Sequence, residues 1–471
     1  MSETKNAWLN ASPEELETIS SFADGYINFL STGKTERRCV KEAIRLAEGF
    51  GYKNINTYTE NGLPLKPQDK VYFNMMDKAL AFFQIGSDPL EKGMNIIGAH
   101  IDSPRLDVKQ HALYEQDGIC LMDTHYYGGI KKYQWTALPL ALYGVICLKD
   151  GTHMDIAIGD HEDDEVFCIS DLLIHLAKDQ MAKPASSAIE GEALNVIAGS
   201  IPAADTDKDP VKAYILQLLK DRYGIDEDDF ISAELEFVPQ GRARTCGLDR
   251  SMILGYGQDD RVSAYTSLMG MMELADEPCT RTRALLLVDK EEIGSVGATG
   301  MHSTFFEDQL AEIFNAMGDY SELKVRRCLR HSSMLSCDVT AAHDPNSPEA
   351  SSPNGNSARF GYGIAFSKYN GSGGKRQSND ARAEYVAAIR KLLDDKNIPW
   401  QTGELGKVDQ GGGGTIAYIL ANYGMDVIDC GAALMSMHAP FELSSKIDVY
   451  SAFEACKEFL KNMKDIQTAS L

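Results

Sequence analysis

At 471 residues the chain exceeds the length at which one hydrophobic core stops growing, so at least two domains are expected and a small binding module is excluded. Apolar residues at 44% and charged residues at 24% are those of an ordinary folded protein. A formal net charge of −23 makes nucleic acid and anionic lipid poor partners, because such ligands draw their affinity from Lys and Arg, and a solvated acidic surface accounts for the excess.

The start, MSETKNAWLNASPEELETISSFADGY, has no basic segment followed by an apolar one, and no apolar run approaches membrane-spanning length. Ten cysteines are scattered from Cys39 to Cys456 without a C-x-x-C pair, which suits a reducing cytosol, so a cytoplasmic protein that contacts no membrane is predicted. Two amphipathic helices are predicted over Ser12 to Leu30 and Thr35 to Phe50, then a polar loop and an apolar strand, MNIIGA, ending at His100. From about Val108 the pattern changes to short β-like runs such as YGVICL and VFCIS, one helix near Asp171 to Met181 and an acidic patch, GDHEDDE.

Beyond Gly247 helix and strand alternate again: a helix from Val262 to Leu274, the strand ALLLVD, further βα units, and a turn GGGGT opening into IAYILANYG. The reading is an α/β catalytic domain made of residues 1–107 and 246–471, interrupted by an inserted β-rich domain over 108–245.

Residues able to do chemistry stand just past the ends of the predicted core strands. In GAHIDSPRL, Asp102 follows His100 by two, on the same side of an extended backbone, as a carboxylate that orients a metal-bound imidazole would; a hydrogen-bonded structural histidine fits the same spot. In GQDDRV, Asp259 and Asp260 open a helix, where they are ligands or simply favour the helix dipole. LLLVDKEEIGSVG discharges a strand into Asp289, Glu291 and Glu292, and Asp338 and His438 follow two more apolar runs. The chain has neither a P-loop nor a nucleophile elbow. A set of imidazoles and carboxylates without thiolate suits two divalent ions such as zinc, manganese or cobalt. Two such ions about 3.5–4 Å apart share a hydroxide whose parent water falls from a pKa of 15.7 toward roughly 7, with a nearby carboxylate as general base. Amide hydrolysis is the natural outcome.

In order, GAHIDSPRLD, HYYGGIKKYQW, GQDDR, DKEEIGSVG, SCDV and MHAPFE resemble the landmarks of the aspartyl aminopeptidase family of dizinc metallo-aminopeptidases, in the form of its bacterial branch, over nearly the whole chain. The resemblance implies a zinc-aminopeptidase-like mixed sheet flanked by helices, with the inserted domain serving as dimerisation and lid domain. It implies that Asp259 bridges two ions, with His100 and Asp338 completing one site and Glu292 and His438 the other, that Glu291 is the general base, and that Asp102 orients His100. Asp260 fits less well as the bridge, because the family pattern has Asn or Asp there.

By alignment of ISDLLIHLAK, His175 corresponds to the histidine that a neighbouring subunit of the family contributes to catalysis. The same residue, on an amphipathic helix with Leu172, Leu173 and Leu176, also suits a packed dimer contact. Lys368 in FSKYNGSGGK and Gly413 in the GGGGT turn are expected substrate contacts by position, although a surface lysine and a helix-opening turn explain them nearly as well; His343 lies in VTAAHDPNSPEASSPNG, which departs from the eukaryotic relatives. The family's substrates are short peptides with a free N-terminus, and its members assemble as tetrahedral homododecamers. Two rival readings are a deacylase or carboxypeptidase on the same two-metal frame and a non-catalytic scaffold; the second is disfavoured because all five ligands and the base are present.

Overall fold

The computed structural model describes residues 5–466. The chain divides into two compact units: one holds Met1–Asp102, Ala243–Met437 and Glu442–Leu471, and the other Ser103–Arg242 with the short segment His438–Phe441.

The first unit opens with helix Pro13–Thr32. Ser12 accepts a hydrogen bond from Glu15 N–H at 3.3 Å, the Glu15 carboxylate accepts one from Ser12 N–H at 2.7 Å, and Pro13 sits at the first helical position. Its buried side chains Ile19, Ala23, Tyr26 and Leu30 recur at helical spacing. Helix Glu36–Gly49 follows, with Thr35 accepting from Arg38 N–H and Cys39, Val40, Ala43 and Ala47 buried. Both helices fall where the sequence predicts them.

A nine-stranded sheet forms the centre. Edge to edge it runs Lys53–Asn54, Lys70–Met75, Ala79–Gln84, Thr282–Val288, Met94–His100, Ser333–Cys337, Asp426–Gly431, Ile364–Ser367 and Trp400–Thr402. The strands Thr282–Val288, Met94–His100, Ser333–Cys337 and Asp426–Gly431 are mutually parallel, and every residue in them is buried. This is why they read as continuous apolar runs. Burying one Leu side chain such as Leu285 or Leu287 contributes about 1.5–3 kcal/mol before chain entropy is counted.

Helices cover both faces. Pro13–Thr32, Glu36–Gly49, Gln258–Glu273, Ala383–Asp394 and Lys446–Asn462 bury their apolar sides on one face, and Phe305–Ala316, Glu322–Arg330 and Ala417–Ala421 on the other. The mixed sheet flanked by helices is the architecture expected from the sequence. A second sheet of the same unit, in the order Arg244–Cys246, Met252–Gly255, Glu442–Ser445, Ala433–Met435 and Thr340–Ala341, flanks the start of helix Gln258–Glu273.

The second unit is built on a six-stranded antiparallel sheet in the order His153–Ile158, Leu140–Cys147, Ala233–Pro239, Arg105–Gln116, Ile119–Tyr127 and Val196–Gly199. Helix Pro210–Tyr223 packs into its core. Two local expectations fail here. VFCIS forms no strand, only isolated bridges from Phe167 to Leu140 and from Cys168 to Ile197. The helix expected near Asp171 to Met181 shrinks to Lys178–Met181, so His175 lies in an exposed turn. Leu172, Leu173, Ile174 and Leu176 are 49%, 58%, 64% and 70% exposed, so the apolar stripe is left uncovered among the described residues. Asp171 meanwhile takes the Leu172 N–H and the Gln180 amide in local bonds that compete with a helix.

Candidate metal centre

Parallel pairing brings three strand ends to one edge of the central sheet. Val288 is registered with His100, and Ser336 with Gly98, so the chain leaves these strands at His100, at Asp289 and at Asp338 side by side. This is the carboxyl edge, where open α/β sheets place their sites. Asp338 reaches the edge because Gly431 lies under it: a Cβ on Gly431 would stand 2.1 Å from the Asp338 carbonyl. The Asp338 N–H donates to the Cys430 carbonyl at 2.9 Å.

His100 is buried, and its two ring nitrogens have different surroundings. Nδ1 lies 3.1 Å from the Asp102 carbonyl and 3.2 Å from Asp102 Oδ1. Acceptors on that side keep the proton on Nδ1, which leaves the lone pair on Nε2. Nε2 points at Asp259 Oδ1, 3.2 Å away, and at Glu291 Oε2, 4.0 Å away. The Asp102 carboxylate also accepts the N–H groups of Glu291 and Glu292, each at 3.2 Å, and so fixes the turn that carries both glutamates.

Asp259 and Asp260 lie at the start of helix Gln258–Glu273 with non-helical backbone angles, and a cis peptide joins them. Asp260 Oδ2 accepts the His100 N–H at 3.4 Å. Within the first unit, ligand atoms of His100, Glu291 and Asp338 lie within 4.8 Å of one another, as do those of Asp259, Asp260 and Asp338. Burial, reinforced by Asp260 and opposed by His100, pushes the Asp338 pKa well above the carboxylate range; burial does the same for Asp260, with Asp259 adding to it. Burial would lower the His100 pKa, but Asp102 and Asp259, bonded to its ring, raise it well above the usual value.

A divalent cation fits these residues. The donors are one imidazole nitrogen and several carboxylate oxygens, the set that zinc accepts, and among the described residues Asp260 Oδ1 is buried there without a hydrogen-bond partner. Such crowding of buried carboxylates calls for a counter-charge that the nearby side chains supply only in part.

The remaining residues singled out in the sequence lie as follows. His438, immediately after Met437, has a left-handed backbone, and its Nδ1 donates to the Gly129 carbonyl at 2.8 Å, both in the second unit. A carbonyl only accepts, so the lone pair of this ring too sits on Nε2. His175 belongs to the second unit and is exposed. Lys368 and Gly413 lie on loops tied to one another: Lys368 Nζ is 3.8 Å from Asp380, and the Gly413 N–H donates to Asn370 at 3.1 Å. His343 bonds Ser351 at 2.7 Å and lines a cavity of about 330 Å³ with Arg359 and Lys407.

Sequence reasoning assigned no role to Gly129 or Glu442, although both stand inside quoted motifs. Glu442 is buried, and its carboxylate accepts the N–H groups of Gln258 and Asp259. A lone acid beginning a strand carries no signal that it accepts backbone N–H groups distant in the chain.

The sequence model of the family described as "Aminopeptidase I zinc metalloprotease (M18)" matches residues 29–460. The chain is 53% identical over 463 residues to "Probable M18 family aminopeptidase 1" of Clostridium acetobutylicum, covering 98% of this chain and 99% of that protein. It is similar to the crystal structure of an M18 family aminopeptidase from Thermotoga maritima, with a TM-score of 0.93 and 42% identity over 98% of this chain and 100% of the other. It is likewise similar to the crystal structure of aminopeptidase I from Clostridium acetobutylicum, with a TM-score of 0.92 and 51% identity over 98% of this chain and 100% of the other.

Proposed function

From the premise that this chain belongs to the M18 family of aminopeptidase I zinc metalloproteases, we propose that it cleaves single residues from the free N-termini of short peptides with two zinc ions and Glu291 as general base. That it is a zinc metallo-aminopeptidase, a hydrolase of peptide bonds, follows from family membership. The ion count, the residue roles and the order of events are the proposal.

Asp259 would bridge the two ions, with His100 and Asp338 completing one site and Glu292 and His438 the other. The observation that carries this reading is His100 Nε2, held by Asp102 from behind, facing Asp259 at 3.2 Å and Glu291 at 4.0 Å. The Gly129 carbonyl on His438 Nδ1 supports the same use of His438 Nε2. When bound, the ions polarise the scissile carbonyl and lower the pKa of a water molecule. Glu291 takes a proton from that water and passes it to the leaving amine. Asp102 holds the Glu291 and Glu292 amides and so sets where that carboxylate stands. Manganese or cobalt would be accepted by the same donors.

We place the activity in the cytoplasm, a reading supported by ten cysteines that are all free and by the lack, among the described residues, of a helix long and apolar enough to cross a membrane. The exposed run Leu172–Leu176 supports burial against a second copy, in keeping with the resemblance to homododecameric enzymes, and His175 on that run would then serve a neighbouring site. Light scattering on the purified chain tests this: a monomer at micromolar concentration would reject it. Lys368 and Gly413 remain proposed substrate contacts.

The deciding experiment uses zinc-reconstituted protein, unblocked aminoacyl p-nitroanilides and their acetylated counterparts, with and without a chelator. Release from free N-termini alone, lost with chelator, is expected. Release from acetylated substrates would instead establish a deacylase, and none under any metal a scaffold.

A further inference from the structure

The bridging role proposed for Asp259 requires its carboxylate to be aimed before any ion arrives, and the side chain that aims it lies far away in sequence. Gly257 is left-handed and Asp259 and Asp260 have non-helical backbone angles, so the N–H groups of Gln258 and Asp259 precede the regular helical turns. Their acceptor comes from another element. Strand Glu442–Ser445 pairs antiparallel with Met252–Gly255, with Glu442 opposite Gly255, and so delivers the Glu442 carboxylate under the helix start. Glu442 Oε2 accepts the Gln258 N–H at 2.6 Å and the Asp259 N–H at 3.1 Å. The Gln258 side chain locks the same corner: its amide donates to the Glu442 carbonyl at 2.6 Å and the Ile253 carbonyl at 3.2 Å, and its oxygen accepts from Ser444 at 2.6 Å and Tyr26 at 3.3 Å. Gln258, Glu442 and Ser444 are all fully or almost fully buried.

We propose that Glu442 is a positioning residue for the reaction: by accepting the N–H groups of Gln258 and Asp259 it fixes the non-helical segment that leads into the helix and preorganises Asp259 to bridge the two ions. The inference rests on the two-ion reading given above. A carboxylate that accepts two backbone N–H groups makes charge-assisted hydrogen bonds and needs no metal to hold it there. Asp259 is thereby kept within reach of His100 rather than turned toward solvent.

The test uses the full chain, freed of metal and titrated with zinc and with cobalt. Wild type is expected to take up two ions; uptake of fewer would sink the two-ion reading itself and leave Glu442 nothing to position. Glu442→Asp withdraws the acceptor by one methylene. It is expected to weaken uptake of an ion about tenfold to a hundredfold, to shift the visible cobalt spectrum, and to lower kcat with KM within about twofold. Glu442→Gln keeps an acceptor oxygen and is expected to stay within about threefold of wild type. Two-ion uptake at wild-type affinity with an unshifted spectrum in Glu442→Asp overturns the proposal, and so does a loss in Glu442→Gln as large as in Glu442→Asp. If Glu442→Asp fails to fold, hydrogen exchange of wild type decides. A segment containing Gln258 and Asp259 that is protected in the metal-free protein supports the proposal, and one that exchanges freely overturns it.

Discussion

Glu291 stands 4.0 Å from His100 Nε2 while its own N–H is held by Asp102, so its carboxylate is steered from the backbone. The same position would serve a ligand, since Glu291 shares reach with His100 and Asp338. Glu291→Gln separates the roles: a base predicts loss of turnover by roughly 10²–10⁴-fold with zinc stoichiometry unchanged, whereas a drop in zinc bound per chain would make Glu291 a ligand. Asp102→Asn keeps an oxygen toward His100 and the Glu291 N–H, which share Oδ1, but puts an amide where the Glu292 N–H now donates to Oδ2. We expect a tenfold to hundredfold loss of zinc affinity, read by competition with a chromogenic chelator. Wild-type affinity would remove Asp102 from the site's support.

Strands and helices set these side chains through close backbone approaches and buried acids. Gly431 lets strand Asp426–Gly431 pass under Asp338, and a Cβ there would clash with the Asp338 carbonyl at 2.1 Å. Gly431→Ala is expected to lower the melting temperature and zinc affinity together; an unchanged affinity would mean that Asp338 is not positioned from below. At the start of helix Lys446–Asn462, Asp448 accepts the N–H groups of Gly361 and Gly363 at 2.8 and 2.7 Å. Burial outweighs those bonds and raises its pKa from 3.8 to about 7. The folded state therefore keeps a proton that the unfolded state loses, so this group's contribution falls as pH rises from about 4 to about 7, at no more than ~1.4 kcal/mol per pH unit. Denaturation of the metal-free protein across that range should show the decline, and Asp448→Asn should flatten it; equal slopes would show that Asp448 does not carry it.

At the level of the whole molecule, metal binding and stability are one equilibrium, because buried carboxylates from distant segments converge on one place. Zinc at a hundredfold over its dissociation constant stabilises the fold by about 2.7 kcal/mol per site. Chelation is thus expected to lower the melting temperature in calorimetry, and a melt indifferent to chelator would argue against a structurally integrated centre. The charge of −23 disfavours self-association of exposed surfaces through general repulsion. Burial of the exposed run Leu172–Leu176 therefore needs a specific complementary face.

The sequence determined the elements whose partners are local or repetitive. Amphipathic periodicity marked the helices from Ser12 and Thr35, and apolar runs marked central parallel strands. Donors placed just past those runs were legible because a chain leaving a buried strand exposes its next residues at the sheet's edge. The turn at His175 departs from the expected helix because apolar periodicity implies a face but not what covers it, and none of the described residues does. Tertiary pairing alone brings the Glu442 carboxylate to the Gln258 N–H, 184 residues away, and the Gly129 carbonyl to His438, 309 residues on. Such bonds form where sheet register and chain crossing bring two backbones together, and neither is encoded in the neighbourhood of either residue.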